Sequence, residues 1–462
     1  MSSQDEMKYI SRPQLIKKHL KAVGATTGFH KVNLGNMEAY CFQSVPLFVK
    51  QYNPNFKMKY FVGTVPVIST KRAPLVKSTL KEDFSDRQNR IYLNLGSLPF
   101  FDNRSGIPRV AKELCKVGIE RTDVCVVPVY PDSVTGTYRV AVSWLRSHGA
   151  TPTFPEWAEL EKEDDPEITV KSGDWLVNTM VNSNELDFMA EQLRFFRDKG
   201  GKVGFILHDL IPEDYPNFYK SRDVKLFRRW LRNITKYDGI FAISNATKQA
   251  YLDWAERNHI EKHPRIDYFH LGADFKGKLS RQSKHKVFSI EGSFFLMVST
   301  IEPRKGHAQV LEAFENLWKD GFEGKCVFVG RQGWKVKELI LKIQRHSELG
   351  KRLFWLNRTS DEELAELYKQ SSAVIIASIV EGFGLSMTEA LFHQKRIIVR
   401  DIPVFRETAQ NNAIYFNGNN AQDLADKIQK TYQEKDITHQ EVHITSWEES
   451  FNKLIGIIKN ED

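Results

Sequence analysis

The sequence predicts an α/β protein with two parallel-sheet domains, and three observations carry that prediction. Apolar strand-like runs alternate with helical patterns over most of the chain, as βα units do when each strand returns to the same sheet. The alternation halts at a short, basic, polar stretch, residues 276–286, and restarts beyond it. A chain of 462 residues also exceeds one ordinary core, so two domains of roughly 150–200 residues are expected.

Taken in order, residues 1–88 fit this scheme least. They hold a helix-like start over residues 12–23 and then irregular, aromatic-rich sequence, and are read as an extension of unassigned role. Residues 89–277 form the first Rossmann-like domain, with strands expected at 90–95, 124–129, 175–178, 202–208 and 239–244 and a helix at 186–199. Residues 218–237 mix Lys and Arg with Phe, Trp and Leu at near-helical spacing. Such a helix either lies on an anionic leaflet or turns its apolar stripe to its own core.

The linker spans 278–290, and the second Rossmann-like domain spans 291–445. Its strands are expected at 294–298, 325–329, 353–355, 373–377 and 396–399, its helices at 308–318 and 334–346. Another helix starts at Ser360, with Glu363 three residues on, the pattern of a capping box. Residues 446–462 read as a C-terminal helix packing back across the interdomain region. Two such halves face a cleft, and ligands in these sheets bind beyond the carboxyl ends of the strands.

Composition narrows the class. A 41% hydrophobic and 27% charged content is that of a globular protein in water. No apolar run approaches the ~20 residues that cross a bilayer, and the polar, acidic start predicts no secretory signal. The four cysteines lack metal-ligand spacing, which fits small core residues in a reducing cytoplasm. A net charge of +8 suits nucleic acid, an anionic membrane or phosphorylated substrates. No nucleic-acid recognition module is visible, and the basic residues cluster at loop ends, so no nucleic-acid partner is expected.

The segment Ser378-Ile379-Val380-Glu381-Gly382-Phe383-Gly384-Leu385, running on to Glu389, is the most specific. A buried strand ends, a Gly-x-Gly loop follows and a helix begins. Glycines let backbone approach a ligand, and amides at a helix start attract phosphate. Glu381 and Glu389 bracket that loop and suit sugar and ribose hydroxyls rather than phosphate. In Glu302-Pro303-Arg304-Lys305-Gly306, two cations follow the first strand of the second half, where they can neutralise a diphosphate.

These segments resemble the retaining GT-B glycosyltransferases of family 4, over roughly residue 89 to the C-terminus. The resemblance implies that Glu381 contacts donor-sugar hydroxyls and Glu389 the ribose. It brings the Gly382, Phe383, Gly384 and Leu385 backbone to the donor phosphates and sugar, and Lys305, then Arg304, to the diphosphate. Where many members carry an arginine just after the strand, this chain has Ser299 and Thr300.

The first half adds Arg104-Ser105-Gly106-Ile107-Pro108-Arg109-Val110, similar to a segment of the family's bacterial polysaccharide mannosyltransferases. There Gly106 would pass close to the donor phosphates, and Arg109 would serve an anionic group on the acceptor side or the core. The segment His208-Asp209-Leu210-Ile211-Pro212 resembles one that brings a histidine toward donor sugar and acceptor, with Asp209 the weaker of the pair. Ser244, at a strand-to-helix turn, would face the cleft.

The implied enzyme is a hexosyltransferase that needs no cofactor and no divalent metal, since the chain holds no Asp-x-Asp pair. GDP-mannose is the favoured donor, with a glycan or lipid-linked acceptor, at the inner face of the cytoplasmic membrane. The alternatives are a GT-B epimerase, a phosphorylase, a dinucleotide oxidoreductase and a nucleic-acid-binding protein. No Gly-x-Gly-x-x-Gly follows the first strand of either half, which weighs against the oxidoreductase.

Overall fold

The computed structural model describes residues 89–102, 106–132, 135–150, 152, 165–181, 186–273, 290–434 and 444–459, and the backbone of four short strands before them. Strands β1 (His30–Leu34) and β2 (Met37–Cys41) pair antiparallel, as do β3 (Pro46–Val49) and β4 (Phe61–Thr64). The stretch read as irregular therefore carries two antiparallel ladders. The helix expected over residues 12–23 lies outside the described residues, as does the linker up to residue 289.

The chain divides into two compact units, one of residues 1–101, 119–176 and 185–202, the other of 102–118, 177–184 and 203–462. In the first unit, β5 (Ile91–Asn94) is buried along its whole length and pairs parallel with β6 (Val126–Asp132). Strand β7 (Thr137–Val140) turns back antiparallel on β6, after a turn in which Gly136 takes φ +70°. Helices α2 (Val142–Ser147) and α3 (Leu186–Asp198) also belong to this unit, and Phe196 of α3 meets Tyr92 edge to face at 5.7 Å.

In the second unit come α1 (Gly106–Ile119) and, beyond β8 (Trp175–Asn178), the parallel strands β9 (Lys202–Leu207), β10 (Gly239–Ala242) and β11 (Arg265–Tyr268). Between them lie α4 (Ile211–Asp214), α5 (Ser221–Ile234) and α6 (Asn245–Arg257). Helix α5 is the basic helix of the sequence. Its stripe of Val224, Phe227, Trp230, Leu231 and Ile234 is buried, so the face left exposed is the one with Arg222, Lys225, Arg228 and Arg229, alongside Asp223.

A six-stranded, all-parallel sheet follows, in the order β14-β13-β12-β15-β16-β17. These are β12 (Phe294–Val298), β13 (Lys325–Val329), β14 (Leu353–Leu356), β15 (Ala373–Ile376), β16 (Ile397–Arg400) and β17 (Ile414–Phe416). Successive residues serve opposite faces. Phe295 and Met297 pack with α7 (His307–Lys319), α8 (Lys337–Gln344) and α12 (Ala421–Gln433). Phe294 and Leu296 pack with α9 (Asp361–Gln370), α10 (Leu385–Phe392) and α11 (Pro403–Ala409).

Two boundaries are instructive. Helix α9 opens with the full Ser360–Glu363 capping box. Helix α8 begins three residues later than the periodicity predicts, because Lys335 adopts the left-handed φ of +55° and Trp334 stays in the loop. The last helix, α13 (Trp447–Lys459), sets Trp447 against Gly272, while Ala273 N donates to Thr445 O at 3.0 Å.

Candidate active site

Strand β12 has β13 on one side and β15 on the other, so the strand order reverses there. At such a switch point the loops leaving the carboxyl ends flank a crevice. The loop after β12 carries Arg304 and Lys305, the loop after β15 carries Glu381, and Ile379 N donates to Arg304 O at 2.7 Å. Parallel pairing thus brings together residues 76 positions apart in sequence.

Glu381 is clamped. One carboxylate oxygen, Oε1, takes the Lys305 ammonium and accepts from Ser378 Oγ at 2.7 Å. The other, Oε2, lies 3.0 Å from Arg304 Nη1, which also donates to Val380 O at 3.2 Å. Arg304 Nε is 2.8 Å from Glu302 Oε1, close enough for ion pairing but not aligned as a hydrogen bond.

Burial would raise the Glu381 pKa, yet Lys305 and Arg304 outweigh it and hold the group at about 2. Burial wins at Lys305, whose pKa is lowered despite Glu381. It is likewise burial that raises Glu302 and Asp209 above the ordinary carboxylate range, against the opposing pull of Arg304. Three carboxyl groups and two cations therefore share a shielded patch whose charges respond strongly to one another.

The next four residues are shaped by contact. A Cβ on Gly382 would collide with the carbonyl oxygen of His208. The Gly382 carbonyl accepts from Ser244 Oγ at 2.7 Å and from Thr247 Oγ1 at 3.1 Å. Phe383 is buried, its ring 5.8 Å from His270, so its side chain packs and only its backbone can face a ligand. Gly384 caps α10 at φ +95°, where a Cβ would meet the Phe405 ring at 2.6 Å. Leu385, the first residue of α10, has its Cδ1 3.9 Å from where a Cβ on Gly106 would stand.

Glu389, buried a turn into α10, has both oxygens engaged: Oε1 pairs with the Arg109 guanidinium, and Oε2 accepts from Tyr368 OH at 2.9 Å. Arg109, expected on the acceptor side, thus lies against the carboxylate expected to serve the ribose. His208 is buried and donates from Nε2 to Thr179 O at 2.8 Å, which assigns its tautomer. Burial lowers its pKa to about 4, so the imidazole is neutral at pH 7.

Asp209 Oδ1 accepts from Ile211 N at 3.0 Å, and Ser244 caps α6 by accepting from Thr247 N at 3.0 Å. Residues 103–105, including Arg104 and Ser105, lie outside the described residues.

Sequence reasoning missed Tyr368, Ser378, Glu302 and Glu407. Glu407 of α11 accepts from the α6 amides Asn245 N and Ala246 N at 2.7 and 2.8 Å and meets His270 Nε2 at 2.6 Å. Ser378 and Glu302 stood inside the two quoted motifs without a role of their own, whereas Tyr368 and Glu407 carried no such signal. Among the described residues no three His, Cys, Asp or Glu gather as a metal site, and no helix is long and apolar enough to cross a membrane.

Residues 280–443 match the family described as glycosyl transferases group 1. The serotype-specific mannosyltransferase WbdA of Escherichia coli is 33% identical over 375 residues, 78% of this chain and 44% of the relative. The chain thus spans less than half the length of that relative. The O-antigen chain mannosyltransferase RfbU of Salmonella typhimurium is 24% identical over 215 residues, 46% of this chain and 55% of the relative.

Among solved structures, HepE of Anabaena, crystallised with UDP and glucose, aligns over 80% of this chain and 98% of its own at a TM-score of 0.54 and 14% identity. The N-terminal domain of trehalose-6-phosphate phosphatase from Candida albicans aligns over 80% and 97%, also at 0.54 and 14%. These likenesses show the fold, the α/β GT-B architecture with parallel sheets.

Proposed function

We propose that this chain is a retaining, metal-independent glycosyltransferase of family 4, moving mannose from GDP-mannose to a glycan or lipid-linked acceptor of a cell-surface polysaccharide. The observation that carries the reading is the Glu381 clamp at the switch point, inside the region that matches glycosyl transferases group 1. The sugar and polymer are argued from the names of the mannosyltransferase relatives. The exposed Arg222, Lys225, Arg228 and Arg229 of α5 support work beside an anionic inner leaflet.

In this mechanism the donor diphosphate draws Lys305 and Arg304 from Glu381, whose freed oxygens take donor-sugar hydroxyls. Glu389 takes the ribose hydroxyls. The acceptor hydroxyl oxygen bonds to the anomeric carbon as the bond from that carbon to the diphosphate oxygen breaks. The departing oxygen, on the same face, accepts the acceptor's proton, so a glycoside and a nucleoside diphosphate leave with configuration retained. Arg304 and Lys305 stabilise the charge that grows on the leaving group, the interaction worth most in a shielded site. His208, neutral and fixed by Thr179, offers Nδ1 as an acceptor.

Purified protein is tested with GDP-mannose, UDP-glucose and dTDP-rhamnose, and the product anomer is read by NMR. The α-linked mannoside from GDP-mannose is expected, undiminished by EDTA. Glu381→Gln is expected to cut turnover roughly 10³-fold with the circular dichroism spectrum unchanged. Inversion at the anomeric carbon, rescue by Mg²⁺ alone after EDTA, or wild-type turnover by Glu381→Gln would each overturn the corresponding part.

A further inference from the structure

Two exposed aromatic rings of the second unit, Tyr215 and Trp334, gather with the half-buried Phe218 and Tyr219 where the mechanism above places nothing. After α4 the chain turns through Pro216–Phe218, and the Tyr215 and Phe218 rings lie nearly parallel, 9° apart with centroids at 5.9 Å. Tyr215 is 40% exposed. From the loop after β13, Trp334 comes to the same place, 38% exposed, with its ring 5.8 Å from that of Tyr219.

The two segments are tied through backbone carbonyls. Trp334 Nε1 donates to Phe218 O at 2.7 Å, and Lys335 Nζ donates to Asn217 O and Tyr219 O at 2.6 and 2.7 Å. The left-handed turn at Lys335 that delays α8 makes this reach. The indole N–H and the ammonium are thereby spent on backbone carbonyls, which fixes the exposed Tyr215 and Trp334 beside the half-buried Phe218 and Tyr219. Rings that only filled a core would be covered; a rigid apolar platform left in water marks a recognition surface.

Its neighbours say for what. Next to Trp334, Gly333 N donates to Ile301 O at 2.9 Å and a Cβ there would stand 3.3 Å from the Cβ of Glu302, so the platform adjoins the loop whose Arg304 and Lys305 hold the carboxylate assigned to the donor sugar. A flat apolar face beside the sugar-transfer point suits the C–H face of a pyranose ring, whose hydroxyls stay at the polar edge.

We propose that Tyr215, Phe218, Tyr219 and Trp334 form a subsite for a pyranose unit of an oligosaccharide acceptor, set back from the hydroxyl that reacts. The proposal rests on the glycosyltransferase reading, and its test separates the two. Protein carrying 5-fluorotryptophan is titrated with α-linked mannotriose and, separately, with GDP, and the Trp334 resonance is assigned by its loss in Trp334→Phe. Mannotriose is expected to shift that resonance and GDP to leave it in place.

In turnover, Trp334→Ala is expected to lower trisaccharide transfer relative to donor hydrolysis about tenfold, with Trp334→Phe, which keeps a ring, close to wild type. A shift with GDP instead of mannotriose makes the platform a nucleobase site and overturns the proposal. Equal loss of transfer and hydrolysis in Trp334→Ala, or no response to mannotriose, overturns it too. A wild-type protein that turns over no nucleotide sugar overturns the function, while the titration still decides whether saccharide binds at Trp334.

Discussion

Both carboxylate oxygens of Glu389 are engaged within the protein. Tyr368 holds one, from a fully buried position with its ring stacked on His393 at 4.9 Å, and Arg109 holds the other. A ribose arriving there has to share or displace the guanidinium, since the phenol cannot move without opening the core. Arg109→Met leaves a buried carboxylate short of one partner and is expected to cost roughly 2 kcal/mol of unfolding free energy without nucleotide. Saturating GDP is expected to recover part of that loss. Urea melts of both proteins with and without GDP check it; a variant as stable as wild type, or unresponsive to GDP, tells against the pairing of Glu389 with ribose. The meeting of Glu381 with Arg304 and Lys305 was legible in sequence because their loops leave strand ends of one parallel sheet, and Glu389 because it lies in the helix that the Gly-x-Gly loop opens. The partner of Arg109 was not, being 280 positions away, nor was Tyr368, which looks in sequence like one more apolar position on a helix.

Elements read well where a local rule settles them. The capping box of α9, the buried strands of the second sheet and the stop before α10 all follow from a few adjacent residues. The antiparallel β7 and the late start of α8 escaped, since both turn on single residues in left-handed backbone, Gly136 and Lys335. The amphipathic pattern of α5 was plain, but not what its apolar face covers: that depends on the fold and not on the helix. The same distinction sorts two glycines. Gly382→Ala drives a methyl into the His208 carbonyl and is expected to cost roughly 3 kcal/mol or to block folding. Gly456→Ala, in α13 where a Cβ meets nothing within 4 Å, is expected to gain about 1 kcal/mol from helix propensity. Thermal melts of the pair check both signs.

At the scale of the whole molecule, two buried histidines add to the response to acid. His208 and His307 are held at about 4 and about 3 by burial, below the ordinary 6.5. The unfolded chain protonates them first, so stability is full above pH 6.5 and falls as pH drops toward 4 and 3. Glu381, held at about 2, acts in the same sense between 4.5 and 2, while Asp209 and Glu302, raised by burial, act in the opposite one. His307 has an unpartnered Nδ1 and packs on Phe328 at 5.1 Å. His307→Phe is therefore expected to flatten the loss of stability between pH 6.5 and 4, read as a smaller change in urea midpoint. An unchanged slope would return that sensitivity to other groups.

The grip of Ser244 and Thr247 on the Gly382 carbonyl has a consequence for exchanging segments between enzymes. The loop expected to hold the donor sugar is moulded by hydroxyls 138 and 135 positions upstream. Swapping residues 291–445 alone for those of a relative would import the specificity letters without the surface that shapes them. A replacement of residues 291–445 alone is expected to keep the shape of that loop only where the remaining chain still presents hydroxyls at positions 244 and 247.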